Sequence, residues 1–173
     1  MGFSVTIASS IVFIGIMVAF VSVSATMFSG FREINNAASD YLEQEKERLD
    51  VRVDLEVNAI DDRSINITVT NVGSKTIFLK SQNGFQWNTI VVSYANNSQW
   101  RSYNIEDYTV SEISASGTTT TFDTASHNFV NPGEEAIILF SVPEDAPDIP
   151  SDGVVVVVFV THYGTVALKE AVR

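Results

Sequence analysis

The chain of 173 residues has no cysteine. That excludes disulfides, thiolate metal sites and cysteine nucleophiles together, and leaves core packing alone to hold the fold. Histidine is nearly absent too: His127 and His162 lie in different elements, and neither has a metal-ligand companion at helical spacing. Metal sites usually take three or four ligands, so each histidine reads as a structural residue. No Gly-x-Ser-x-Gly turn, glycine-rich phosphate loop or His-Glu-x-x-His helix occurs. The expectation is a non-enzyme without a catalytic residue, metal or cofactor. Positive charge is scarce as well, with 10 Lys and Arg against 21 Asp and Glu and a net charge of -11. Such a surface repels phosphate backbones, which argues against nucleic acid as a partner.

Charge of either sign is missing from Met1 to Phe31. The run from Phe3 to Phe28, FSVTIASSIVFIGIMVAFVSVSATMF, would span about 40 Å as a helix, more than the ~30 Å hydrocarbon core of a bilayer. A cleaved signal peptide has a basic start and a shorter apolar run. Here no Lys or Arg precedes the run and the run is long, which favours an uncleaved single-pass anchor. Ala8, Gly15, Ala19 and Ser22 recur at helical spacing. Small residues let helices approach closely in lipid, so these four are the candidate helix-packing positions. Arg32 to Asp50 continues the helix without Pro or Gly, either as a solvated stalk or as a partner-packing helix. Arg32, Lys46 and Arg48 follow the span and by the positive-inside rule would face the cytoplasm. The character of the following domain argues the reverse orientation, with that domain outside the cell.

From Val51 the period changes from helical to two, which divides the chain into an anchor and stalk at 1–50 and a β domain at 51–173. Val51, Val53, Leu55 and Val57 alternate with Arg52, Asp54, Glu56 and Asn58, and Ile65, Ile67 and Val69 repeat the pattern. Further strands are expected near Thr76–Lys80, Asn88–Tyr94, Gln99–Asn104, Ala136–Val142, Val154–His162 and Thr165–Val172, with turns at Asp61-Asp62-Arg63 and Asn71-Val72-Gly73-Ser74. The whole reads as mainly β: an immunoglobulin-like antiparallel β-sandwich preceded by one long N-terminal transmembrane and stalk α-helix. Val154 to Val160, VVVVVFV, is expected to be a central strand covered on both faces, by core or by a dimer interface. Glu112 to Ser126 is expected to be a long exposed loop, and the acidic, proline-rich Pro143 to Asp152 an extended solvated one. Calcium could use the latter's carboxylates together with Glu134 and Glu135, but no EF-hand spacing is present. Two glycosylation triplets occur, at Asn66 and Asn96.

The opening MGFSVTIASSIVFIGIMVAF, the helix behind it and the segments ITVTNVGSKTI (Ile67–Ile77) and FVNPGEEAIILFSV (Phe129–Val142) resemble the archaellum (archaeal flagellum) accessory proteins of the FlaF/FlaG type. The resemblance is sharpest over the first ~20 residues, a membrane span, and closest to FlaF. It implies a single-pass protein of the archaeal cell membrane, with its C-terminal domain in the space below the S-layer. It further implies a stator role: binding the S-layer protein, holding the motility motor to the envelope, and associating with a sister accessory protein of FlaG type. The alternative is a pilin-like or archaellin-like filament subunit. Processed archaeal pilins carry basic residues before their cleavage site, which are missing before this apolar run. Phe85, Trp87, Trp100 and Tyr103 flank the middle strands and are the candidate partner-binding residues. Copies concentrated by the helix are expected to form a homodimer through a sheet face or edge, with Ile90 and Val92 as the first positions to test.

Overall fold

The computed structural model describes residues 2–79, 87–96 and 99–173, with side chains from residue 7 onward. It divides into two compact units, Met1–Glu45 and Lys46–Arg173. The first lies within one helix, α1 (Gly2–Asp50). From Ile7 to Phe28 this helix is apolar and its large side chains are exposed, so no protein core explains its composition. Its length and composition suffice to cross a membrane. The hydroxyls of Ser22 and Thr26 donate back to the carbonyls of Val18 (2.8 Å) and Ser22 (2.9 Å), which satisfies them without water.

The second unit is a two-sheet antiparallel sandwich. One sheet has five strands in the order β1 (Val53–Ile60), β2 (Ser64–Asn71), β9 (Glu134–Ser141), β6 (Tyr108–Ala115) and β7 (Thr121–Phe122). The other has four, in the order β11 (Val166–Val172), β10 (Val154–Val160), β4 (Thr89–Asn96) and β5 (Gln99–Ile105). A short ribbon pairs β3 (Ile77–Phe78) with β8 (Phe129–Val130). Alternation drives the assembly, because every second side chain of each strand points to the same face. Leu55, Ile65, Ile67, Val69, Ala136, Ile138 and Phe140 from one sheet meet Ile90, Val92, Tyr94, Val155, Val157 and Phe159 from the other, all buried. Each such burial stabilises the fold by about 1.5–3 kcal/mol before chain entropy is subtracted.

Two expectations need correction. Glu112 to Ser126 is no continuous loop: it contributes the end of β6 and all of β7. A bulge between Val110 and Glu112 shifts the register, so the inward positions of β6 fall out of step and its alternation disappears from view. Pro143 to Asp152 is not a solvated strand of loop. Ala146 and Ile149 are buried, and the Arg63 guanidinium donates to the carbonyls of Ala146 (3.0 Å) and Pro143 (2.6 Å). The Ile149 N–H donates to the Asp62 carbonyl (2.8 Å), and the Tyr94 hydroxyl to the Pro147 carbonyl. β10 is central in its sheet, as expected, and within the single chain its inner face is covered: Val155, Val157 and Phe159 are buried, while Val154, Val156, Val158 and Val160 are half-exposed.

The last helical turn is tied into the sandwich by the Asn71–Ser74 turn. Ser74 N–H donates to the Asp50 carbonyl (2.9 Å), and Thr165 Oγ1 to the Arg48 carbonyl (3.2 Å). Gly73 makes this approach feasible, since a Cβ there would lie 2.5 Å from Arg52 N and 2.6 Å from the Asp50 carbonyl oxygen.

Candidate functional site

Among the described residues, the outer face of the four-stranded sheet carries a run of exposed and half-exposed apolar side chains. The period of two that sends Val155, Val157 and Phe159 inward sends the four even-numbered valines of β10 outward. Antiparallel register then builds rows across the strands. Val158 lies between Leu168 and Val91, with Asn104 beyond; Val160 lies between Val166 and Thr89; Val156 lies between Glu170 and Ser93. Trp100 on β5 stands opposite Ala95. Leu168 and Val172 are each 63% exposed and Trp100 is 58% exposed. The two hydroxyls in the middle, Ser93 and Ser102, bond to each other at 2.8 Å, which uses one of their two donor hydrogens. Glu170 is the one charged side chain in these rows.

The outer face of the five-stranded sheet is different. It presents Asp54, Glu56, Asn58, Thr68, Glu112 and Glu135 to water or half-exposed. The Asn58 amide donates to Asn66 Oδ1 (3.1 Å) and Thr68 Oγ1 (2.8 Å), and the Ser114 hydroxyl to Glu135 (3.3 Å). Asn66, the first residue of one glycosylation triplet, thus accepts a hydrogen bond within the sheet through its Oδ1.

The candidate contact residues separate. Trp100 lies on the valine-rich face. Trp87 is exposed elsewhere, edge-on to His162 with ring centres 5.8 Å apart. Tyr103 is half-buried on the inner side against Tyr94 (5.4 Å), and its hydroxyl is buried without a partner. Ile90 and Val92 are corrected: both are 0% exposed and belong to the core, because they are the inward positions of β4. The outward position between them is Val91. Phe85 lies outside the described residues. In α1, Ala8, Gly15, Ala19 and Ser22 are exposed and fall within about 60° of one another around the helix, one stripe at 100° per residue. The sequence pattern does not single out Leu168, Val172 or the outward parity of the β10 valines, because an unbroken apolar run does not reveal which of its faces the fold leaves open.

Titratable groups are built into structure. Burial alone would raise the Glu134 carboxyl; the Asn131 N–H (2.7 Å), His127 Nε2 (2.9 Å) and the Asn131 amide (3.2 Å) outweigh it and hold the carboxyl below its ordinary value. His127 itself stacks between Phe122 and Phe129. Burial pushes His162 down, among Phe78, Trp87 and Tyr163. Tyr94 is pushed up to about 12, by burial first and then by neighbouring Tyr103. Among the described residues no three His, Asp or Glu are placed to hold a metal ion. Glu134 is bonded to His127 and Glu135 accepts from Ser114. An open cleft of about 780 Å³ beside Glu106, Asp107, Tyr108 and Leu139 is lined by no histidine or lysine.

No family model and no curated protein matches the chain. Among solved structures, it is similar to a chain in the archaeal flagellum of Methanospirillum hungatei strain JF1. Identity is 14%, the TM-score is 0.58, and 96% of this chain and 92% of that one are covered. It is also similar to the archaellum periplasmic stator protein FlaG from Sulfolobus acidocaldarius, at 17% identity and TM-score 0.42, covering 69% of this chain and 100% of that one. The complex of FlaF and FlaG from the same organism gives 17% identity and TM-score 0.43, covering 70% and 88%. The first likeness shows a shared fold.

Proposed function

We propose that this chain is a non-enzymatic component of an archaellum, anchored in the archaeal cell membrane by its N-terminal helix with the sandwich outside the cell. There the sandwich works by binding proteins: the S-layer lattice, which would hold the motor to the envelope, and a sister accessory protein of FlaG type. The observation that carries this reading is the pairing of an exposed, uncharged helix at Ile7–Phe28 with a sandwich whose outer valine-rich face needs a protein cover. The sharp resemblance of the opening residues to FlaF supports the stator assignment. The fold shared with a chain of an archaeal flagellum supports the archaellum assignment.

The test has two arms. Protease added to intact cells should degrade the sandwich, and purified S-layer protein should retain the detergent-solubilised chain. Loss of the chain should abolish swimming while leaving filament protein in the cell. A protected sandwich, or no retention together with normal swimming, sinks the reading.

One observation favours a filament subunit instead: the likeness to the flagellar chain extends over the helix as well as the sandwich. Mass spectrometry of the native N-terminus separates the two. An intact start in the membrane fraction supports the anchor, and a shortened start in sheared filaments supports the subunit.

A further inference from the structure

We infer that Asn96 carries an N-linked oligosaccharide, whose first sugar sits in the cleft between the ends of β4 and β5 and the Pro143–Asp152 segment. The inference rests on the anchored reading above, because such sugars are borne by the surface loops of proteins outside the cytoplasm.

Two Asn-x-Ser/Thr triplets occur, and the fold treats them differently. Asn66 lies in mid-strand, opposite Ala59 of β1 on one side and Leu139 of β9 on the other. The next residue, Ile67, is 0% exposed, and the Thr68 hydroxyl accepts from the Asn58 amide at 2.8 Å. An enzyme gripping this triplet must pull Ile67 out of the core and break both ladders. Asn96 is the last residue of β4 and faces Gln99 at the start of β5, so its triplet begins where the paired strand ends.

The Asn96 side chain is set for the attachment. Its amide nitrogen has two hydrogens and gives one to the Asp148 carbonyl, at 3.4 Å. In the transfer, Asn96 Nδ2 attacks the anomeric carbon of a lipid-phosphate-linked sugar. The new C–N bond replaces the C–O bond to phosphate. The phosphate leaves with the electron pair, and one amide proton passes to water or a carboxylate of the transferase. The remaining N–H keeps the Asp148 contact. The sugar then meets an open cleft of about 370 Å³, lined by Asn96, Gln99, Arg101, Asp145, Ala146 and Pro147. A guanidinium donor, a carboxylate acceptor and an amide of both kinds suit hydroxyl groups, which donate and accept at once. A simple anion would meet Asp145 and a simple cation Arg101, so the mixture favours a polyhydroxy ligand.

A sugar here has a use. β5 ends the four-stranded sheet, and Gln99, Trp100, Arg101 and Ser102 are exposed along it with no proline to protect the edge. A bulky, hydrated group beside the first residue of that edge hinders its pairing with a strand of another chain.

The test starts from the chain purified from its native membranes. Trypsin separates the triplets, because Asn66 falls on peptide 64–75 and Asn96 on peptide 81–101. Mass spectrometry should find attached sugar on peptide 81–101 and none on 64–75. Asn96→Gln should remove it completely. So should Ser98→Ala, which keeps Asn96 and its bond to Asp148 if the first variant fails to fold. Sugar on peptide 64–75 overturns the inference. So does an unmodified peptide 81–101 from a chain whose sandwich is cut by protease outside intact cells, a result that leaves the anchor standing. An unmodified chain whose sandwich is protected sinks the anchored reading, and the inference with it. The seating has its own readout: Arg101 should react with a dicarbonyl arginine reagent several-fold more slowly in the modified chain than in Ser98→Ala. Equal rates overturn the seating in the cleft.

Discussion

The two outer faces of the sandwich follow one backbone rule and end in opposite chemistries. On β2, alternation places Ile65, Ile67 and Val69 inside and Ser64, Asn66, Thr68 and Thr70 outside, where hydroxyls and amides are hydrated or bonded to each other. On β10, alternation places Val155, Val157 and Phe159 inside and four more valines outside. The first strand has one face to bury and the second has two. A domain that stood alone in water would gain nothing from the second arrangement, and exposed apolar surface is what a protein contact would bury. The difference separates positions that hold the domain together from positions that hold it to something else.

The largest effect that sharpens this contrast lies within one strand. Phe159→Ala should cost about 3–5 kcal/mol of stability, because it opens a cavity between the sheets. Val158→Thr, one residue away on the outer side, should change the stability of the isolated protomer by less than about 1 kcal/mol. Denaturant unfolding of the monomeric chain measures both, and equal losses would mean that the outer face is structural.

A smaller loss is expected on the polar sheet. The buried Asn71 amide donates to the carbonyls of Lys75 and Val130 (both 2.8 Å), and its Oδ1 accepts the Gly73 N–H (3.0 Å). Asn71→Ala strands these groups and should cost about 1–3 kcal/mol. It would also loosen the turn that meets the end of α1, which hydrogen exchange of Gly73 and Ser74 would report.

Two groups packed within the sandwich should contribute to the pH response of its stability. Glu134 is held below its ordinary value of 4.5, so its contribution is complete above 4.5 and is lost as pH falls through the lower folded value. His162 is depressed below 6.5, so the unfolded chain takes up its proton first and stability declines as pH drops below 6.5. Melting temperatures of Glu134→Gln and His162→Gln should each lose one of these two slopes, the acidic one and the near-neutral one. A variant that keeps the parent slope would show that its group is not the source.

The smallest effect closes the comparison. Asn58→Ala removes two exposed hydrogen bonds and should cost roughly 0.5 kcal/mol, with no change in oligomeric state. A loss of several kcal/mol on this substitution would mean that the polar outer face is structural.

Much of this architecture was legible residue by residue. The absence of charge to Phe31 marked the membrane-length helix, and the change of period at Val51 marked the start of the sheets. β1, β2, β4, β9 and β11 fall within two residues or so of their expected places, and β2, β4 and β9 alternate along most of their length. β6 was hidden by its bulge at Ser111, and the Pro143–Pro150 strap by its polar composition, since the Arg63 guanidinium that pins it lies some 80 positions away in the chain. Ile90 and Val92 shared a face as expected, but it was the inner one.

That last case marks the division between sequence and tertiary structure. Period, charge and the lack of cysteine and catalytic motifs determine a helix long enough to cross a membrane, a β-sandwich held by packing, and an acidic surface. These are local or additive properties, and each is read within a window of a few residues. Which face of a strand turns inward is not local when both faces are apolar. In VVVVVFV either parity satisfies the pattern, and only pairing with β4 and β11 against the opposite sheet selected Val155, Val157 and Phe159 for the core. The tertiary structure thereby left the even-numbered valines, with Leu168 and Val172, as the surface that remains to be covered.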